Sequence, residues 1–194
     1  VIDNSSTDST VSILRKKALI DKNLKVIINS RNFGHIKSPV HGILQADGDA
    51  VILMTSDFQD PVSLIPTYLE EWEKGHKVVM AQKISSEENP KMTFLRKLFY
   101  KTIKCISEVS LPTNTTGAGL FDRKIVEEIR NINDPYPYFR GLISEITNEI
   151  KLVPFHQPKR LGGKTKNNLY TLYDIGVLGV IKHSKLPLRI ITFI

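Results

Sequence analysis

Residues Gly48 to Pro61 read GDAVILMTSDFQDP. Gly48 and Asp49 make a turn, Ala50 to Met54 an unbroken apolar run, and Thr55, Ser56, Asp57, Gln59 and Asp60 a polar string before Pro61 opens an amphipathic segment. A strand covered by helices on both faces is hydrophobic without alternation, and in open α/β sheets ligands bind just beyond the carboxyl ends of such strands. The stretch therefore predicts a buried strand ending at a ligand crevice, with Asp57 in it.

Upstream, Lys25 to Ile28 reads as a short strand, and Ser38-Pro39 as an N-cap and first-turn pair for a helix with Val40, Ile43 and Leu44 on its stripe. The first ten residues, VIDNSSTDST, read as a strand end, a polar turn and a helix start, with Val11, Leu14 and Ala18 on the buried side of that helix. Polar residues at a strand's carboxyl end so early predict a preceding strand and helix, so the chain reads as a fragment. Downstream, Asp60-Pro61 repeats the cap-proline signal, and Leu64, Ile65, Tyr68, Leu69 and Trp72 recur at helical spacing until Lys74-Gly75. Trp72 is expected in the core. With a further strand at Lys77 to Ala81, residues 1–81 alternate strand and helix as a parallel doubly wound sheet does, with the loops after each strand along one edge.

Residues 91–106 are expected to form an amphipathic helix with Lys97, Lys101 and Lys104 on one face, either solvated or against a membrane surface. Leu111 to Leu120 (LPTNTTGAGL) reads as a turn-rich linker, in which Gly117, Ala118 and Gly119 let backbone approach a ligand or permit a tight bend. Helices follow at Lys124 to Arg130 and Leu142 to Glu149. Val153 to Asn168 reads as a loop in which Lys159, Arg160, Lys164 and Lys166 cluster around Gly162 and Gly163, which suits a phosphate-bearing group.

The 194 residues, 41% hydrophobic and 24% charged, have the ordinary composition of one globular domain with a substantial core. The single cysteine, Cys105, excludes an intrachain disulfide framework, and the five histidines lack metal-site spacing. The net charge of +7 is localised: residues 151–194 hold eight Lys or Arg and one acid, Asp174, so residues 1–150 are neutral. That excess points to an anionic partner at the C-terminal end. Nucleic acid is disfavoured, because neither a reading helix nor an aromatic platform is recognisable. No stretch reaches the roughly 18 to 20 apolar residues of a membrane span.

Taken together and in order, IDNSSTDST, NFGHIKSPVHGIL, SDFQDP, TGAGLFDRK, PYFRGLIS and RLGGKTKNNLYTLYD resemble the family-2 glycosyltransferases of GT-A fold. The likeness is to the bacterial polyprenyl-phosphate and dolichyl-phosphate sugar transferases and related polysaccharide-assembly enzymes. It implies an α/β, mostly parallel sheet flanked by helices, with the first βα unit missing. Residues 1–155 would be the catalytic core and 156–194 a basic juxtamembrane segment of the same domain. It also implies a nucleotide-diphosphate sugar donor, Mg²⁺ or Mn²⁺, and transfer with inversion to a polyprenyl phosphate or a saccharide acceptor, at the cytoplasmic face of the cell membrane. On this resemblance Asp57 and Gln59 match the metal ligands. Asp3, Asn4 and Thr55 match donor-binding positions, and Arg140, Arg160, Lys164 and Lys166 fall where acceptor or donor phosphate is handled.

The departures are specific. Thr55 stands where the family carries the first aspartate of its Asp-x-Asp motif, and Gly117 and Gly119 stand in a segment where lipid-phosphate members carry TGDFR. A phosphate acceptor needs little base catalysis, whereas a sugar hydroxyl needs a carboxylate, for which Asp60 and Glu145 are the candidates. The terminal LPLRIITFI resembles the beginning of a membrane helix. A truncated chain is expected to bind nucleotide weakly and turn over little. A non-catalytic nucleotide-sugar-binding module or an inactive fragment is the alternative reading, and an oligomer is left open.

Overall fold

The computed structural model describes residues 1–86, 112–158, 169–185, 189 and 192. In chain order its elements are β1 (Ile2–Asp3), α1 (Thr10–Ile20), β2 (Ile27–Ile28), α2 (Gly34–Gln45), β3 (Ala50–Leu53), α3 (Leu64–Glu73) and β4 (Val78–Ser86). They continue with β5 (Thr115–Asp122), α4 (Arg123–Ile132), α5 (Phe139–Ile146), β6 (Ile150–Gln157) and α6 (Leu169–His183). The expected helix at 91–106 lies outside the described residues.

β1 and β2 pair in parallel, and four strands form a second sheet in the order β3-β5-β4-β6. β5 is antiparallel to both β3 and β4, whereas β4 and β6 are parallel. The α/β class with flanking helices is as expected, but the sheet is mixed. The reason is β5, read from sequence as a linker: Thr115–Asp122 inserts between β3 and β4 and is buried over its last five residues. β6 also overturns part of a predicted loop. It alternates, with Val153 and Phe155 buried and Pro154 and His156 exposed, and its pairing with β4 alone makes it an edge strand, where a proline costs no ladder bond.

β4 carries the core on both faces. Val78 and Met80 pack with Val40, Ile43, Val51, Phe121, Val126, Ile129 and Ile143 beneath α2, α4 and α5, and Phe121 meets Phe139 edge to face at 5.1 Å. Val79 and Ala81 face the other way, onto Leu120, Val153, Phe155 and Tyr68, with Leu64 and Trp72 of α3 packed against them. Burying a side chain of this size stabilises by about 1.5–3 kcal/mol, so these two layers hold the sheet in place.

Helix starts differ from expectation in instructive ways. α2 begins at Gly34, so Pro39 lies inside the helix and Ser38, instead of capping, is buried and accepts a hydrogen bond from Asn29 Nδ2 at 3.0 Å. Pro61 opens a tight turn, with Leu64 N–H donating to Pro61 O, and α3 proper begins three residues later. The last predicted helix runs over Phe139–Ile146. On α1, Val11, Leu14 and Ala18 form the inner side but none is fully buried, while Leu19 and Ile20 are exposed.

Candidate functional site

The loop after β3 opens onto the carboxyl edge of that strand. Asp57 Oδ1 accepts the Gln59 N–H at 3.2 Å, and Phe58 between them takes a left-handed φ of 57°. Such a conformation is uncommon for a bulky residue and is found where a site constrains the chain. Thr55 Oγ1 lies 2.8 Å from Asp57 Oδ1 and 2.7 Å from Asp60 Oδ2. Asp60 is only 2% exposed, and among the described residues its Oδ1 has no hydrogen-bond partner. Below, the Tyr68 hydroxyl is also buried and, among the described residues, without a partner; burial first, and then the Asp60 charge, push its pKa far up.

The antiparallel register sets what lies beside this loop. Leu53 pairs with Gly119, so the start of β5 projects past the end of β3 on the same edge, and there Arg140 Nη1 donates to Thr115 O at 3.0 Å. Arg140 also lies over the Tyr138 ring at 5.8 Å. Its charge reaches His35 in the first turn of α2: burial first, and Arg140 second, lower the His35 pKa below 6.5. Two residues along, Lys37 Nζ sits 3.4 Å from the centroid of Tyr136, joining α2 to the loop before α5. His35, Lys37, Tyr136 and Tyr138 have no role in the sequence reading, although NFGHIK and PYFR were both singled out. Lysine and arginine in those two segments were the available signal.

Asp3 and Asn4 end β1 near the same helix start. Asp3 is buried and its carboxylate accepts both the Ser6 hydroxyl at 2.5 Å and the Ser6 N–H at 2.9 Å, which hold its pKa below 3.8. Asn4 Nδ2 donates to Asn32 Oδ1 and Gly34 O, while its Oδ1 accepts from Asn29 Nδ2 and Phe33 N. An aspartate could accept the last two but could not donate the first two, so an amide suits this position.

Thr55, Asp57, Gln59 and Asp60 are thus brought together. Arg140 stands on the same edge, and Asp3 and Asn4 shape the turn before α2. Glu145 is exposed on α5. Asp60 is held under Thr55 and is not open to an acceptor. Arg160, Lys164 and Lys166 lie outside the described residues. Among the described residues no helix is long and apolar enough to cross a membrane, and no three His, Cys, Asp or Glu converge as a metal cluster. The loop nevertheless offers hard oxygen donors and an incompletely compensated buried carboxylate, and these fit a small divalent cation.

A profile for glycosyl transferase family 2 matches residues 1–130. The chain is 31% identical over 196 residues to "Uncharacterized glycosyltransferase YkcC" of Bacillus subtilis, covering 99% of this chain and 60% of that protein. It is 31% identical over 196 residues to the "Prophage bactoprenol glucosyl transferase homolog" of Escherichia coli, covering 100% of this chain and 63% of that one. Among solved structures, the crystal structure of S. aureus TarS 1-349 superposes with a TM-score of 0.46 at 18% identity, covering 79% of this chain and 47% of that one. The chain spans less than two thirds of the length of these curated relatives.

Proposed function

The chain belongs to glycosyl transferase family 2, and on that premise we propose that it moves a sugar from a nucleotide-diphosphate sugar to a polyprenyl phosphate, metal-dependently and with inversion. The acceptor class is supported by the similarity to a bactoprenol glucosyl transferase homolog along the whole chain. The donor end is supported by the loop after β3, where Thr55 and Asp57 present oxygens at the carboxyl edge of the sheet. That loop is the observation that carries the reading.

The chemistry follows from the groups present. An oxygen of the acceptor phosphate attacks the anomeric carbon, the bond from that carbon to the donor diphosphate breaks, and the nucleoside diphosphate leaves with the electron pair. Because the acceptor oxygen is already anionic, the chain needs no exposed general base, which agrees with the buried position of Asp60. A divalent ion supplies neutralisation of the leaving diphosphate. Thr55, Asp57 and Gln59 would hold it. Arg140, tethered to Thr115 O, offers positive charge to a phosphate at the same edge. The lipid acceptor places the reaction at a membrane surface, to which the basic excess of residues 151–194 is suited.

The test is incubation of the full-length protein with UDP-glucose and other nucleotide sugars, undecaprenyl phosphate in vesicles and Mg²⁺, followed by mass spectrometry of the lipid fraction. A glycosylated lipid phosphate that disappears with EDTA is expected. Transfer only to free saccharides, or donor hydrolysis alone, overturns the acceptor assignment.

A further inference from the structure

The Asn4 side chain can make four hydrogen bonds, two from its amide N–H groups and two to its oxygen, and the fold uses all four. Its Nδ2 donates to Asn32 Oδ1 at 2.8 Å and to Gly34 O at 3.2 Å. Its Oδ1 accepts from Asn29 Nδ2 at 3.1 Å and from Phe33 N at 2.9 Å. The backbone partners alone fix which way the amide points: Gly34 O can only accept and Phe33 N–H can only donate, so Nδ2 faces the first and Oδ1 the second. Asn32 is oriented in the same way, because its Oδ1 also accepts from Gly34 N at 2.8 Å. Asn29 Nδ2 gives its second proton to the buried Ser38 Oγ of α2 at 3.0 Å, and the Asn29 backbone N–H donates to Asp3 O at 2.9 Å.

The resemblance matches Asn4 to a donor-binding position, yet every hydrogen bond its side chain can make goes to the loop of residues 29–34. The same amide holds the turn into α2, where Gly34 has a φ of +82°. We propose that Asn4 contacts no part of the donor and is instead the positioning residue of this loop, clamping it to the carboxyl end of β1 so that loop and helix start are formed before a nucleotide arrives. A preformed loop lowers the ordering cost of binding. That the loop serves a nucleotide rests on the functional reading above; the clamp itself does not. A carboxylate at this position would set its oxygens against Gly34 O and Asn32 Oδ1. An acid would therefore accept well from a donor hydroxyl or N–H but would push the loop away.

The test uses the intact protein in two arms. Without ligand, the backbone amides of Phe33 and Gly34 should exchange hydrogen about tenfold faster or more in Asn4→Ala and Asn4→Asp, with circular dichroism unchanged. With ligand, calorimetry with UDP, GDP and CDP in the presence of Mg²⁺ should find whichever nucleotide binds the wild type weakened about tenfold in both variants. Asn32→Ala, which removes one loop partner of Asn4, should weaken binding too, and its loss should not add to that of Asn4→Ala. If either Asn4 variant loses its fold, Asn32→Ala carries both arms. A residue that touches the donor behaves in the opposite way: Asn4→Asp, the stronger acceptor, binds nucleotide at least as tightly as wild type, and the loop amides keep their protection. Either of those results overturns the proposal, as do additive losses in the double variant. Exchange that follows the expectation in a protein that binds none of the nucleotides leaves the clamp standing and removes the functional reading instead.

Discussion

Trp72 Nε1 donates to Asp122 Oδ2 at 2.8 Å, tying the last turns of α3 to the junction of β5 and α4. The same oxygen accepts from Lys77 Nζ at 3.1 Å, while Asp122 Oδ1 caps α4 by accepting the Lys124 N–H at 3.0 Å. One carboxylate thus fixes a helix start, a strand end and a helix on the opposite face of the sheet.

Replacing Asp122 with Ala should therefore destabilise the protein by about 2–4 kcal/mol, since it removes a cap and leaves the indole donor unmet. Burial opposes the charged form, but the bonds from Trp72, Lys124 and Lys77 outweigh it and hold the pKa below 3.8. A carboxylate with a lowered folded-state pKa contributes stability that is present above 3.8 and lost as pH falls through the folded value. Urea denaturation of wild type and Asp122→Ala should converge as pH is lowered below that range. A constant difference down to acid pH would show that packing, not the charged carboxylate, carries the effect.

A second prediction concerns the two glycines of β5. A Cβ built on Gly119 would stand 2.2 Å from Val79 O and 3.0 Å from Met80 Cα, both backbone atoms of β4 that cannot turn aside. Gly119→Ala should cost about 3 kcal/mol or more, or prevent folding. At Gly117 nothing lies within 4 Å, but φ is +89°, so Gly117→Ala should cost only about 1 kcal/mol. Urea midpoints for the two variants measure the contrast; equal costs would mean that β5 and β4 part to admit a methyl group.

These glycines show why the sequence was readable in one place and misleading in another. Ala50 to Leu53 is strand because a run of apolar residues between two turns has few alternatives, and the polar residues after it end at the sheet edge as the pattern requires. TTGAGLFD looks like a linker, since glycine and threonine carry no hydrophobic pattern, yet Gly119 is there because β4 passes within van der Waals reach. That neighbour is about 40 residues away in sequence, and long-range pairing leaves little local signal. At the site, Asp57 and Asn4 were legible as chemistry-bearing residues. The burial of Asp60 under Thr55 and the meeting of His35 with Arg140 depend on how three separate segments close together.

Phe58 offers a test of strain in the loop after β3. Its φ of 57° costs about 1–2 kcal/mol for an ordinary side chain, and the residue is 57% exposed, so little packing offsets the cost. Asn tolerates the left-handed region, so Phe58→Asn should raise stability by about 1 kcal/mol, whereas the β-branched Phe58→Val should lower it. Thermal unfolding of the three proteins gives the ranking directly. If Phe58→Asn is no more stable, the loop relaxes to another conformation once the ring is gone.

The last prediction uses His35 as a reporter of charge at the sheet edge. Burial is the larger cause of its lowered pKa and Arg140 the smaller, so Arg140→Met should raise the value while leaving it below 6.5. NMR titration of the imidazole in the intact protein reads this shift. A histidine whose folded-state pKa is lowered favours the unfolded chain on protonation, so the folded protein loses stability as pH falls through 6.5 and stops losing it below the folded value. Removing the Arg140 charge should shrink that loss. If the edge receives a diphosphate, inorganic pyrophosphate should raise the His35 pKa, and more weakly in Arg140→Met, where the anion has lost its guanidinium partner. A His35 titration unmoved by both changes would place its environment outside the reach of Arg140 and of any phosphate held there.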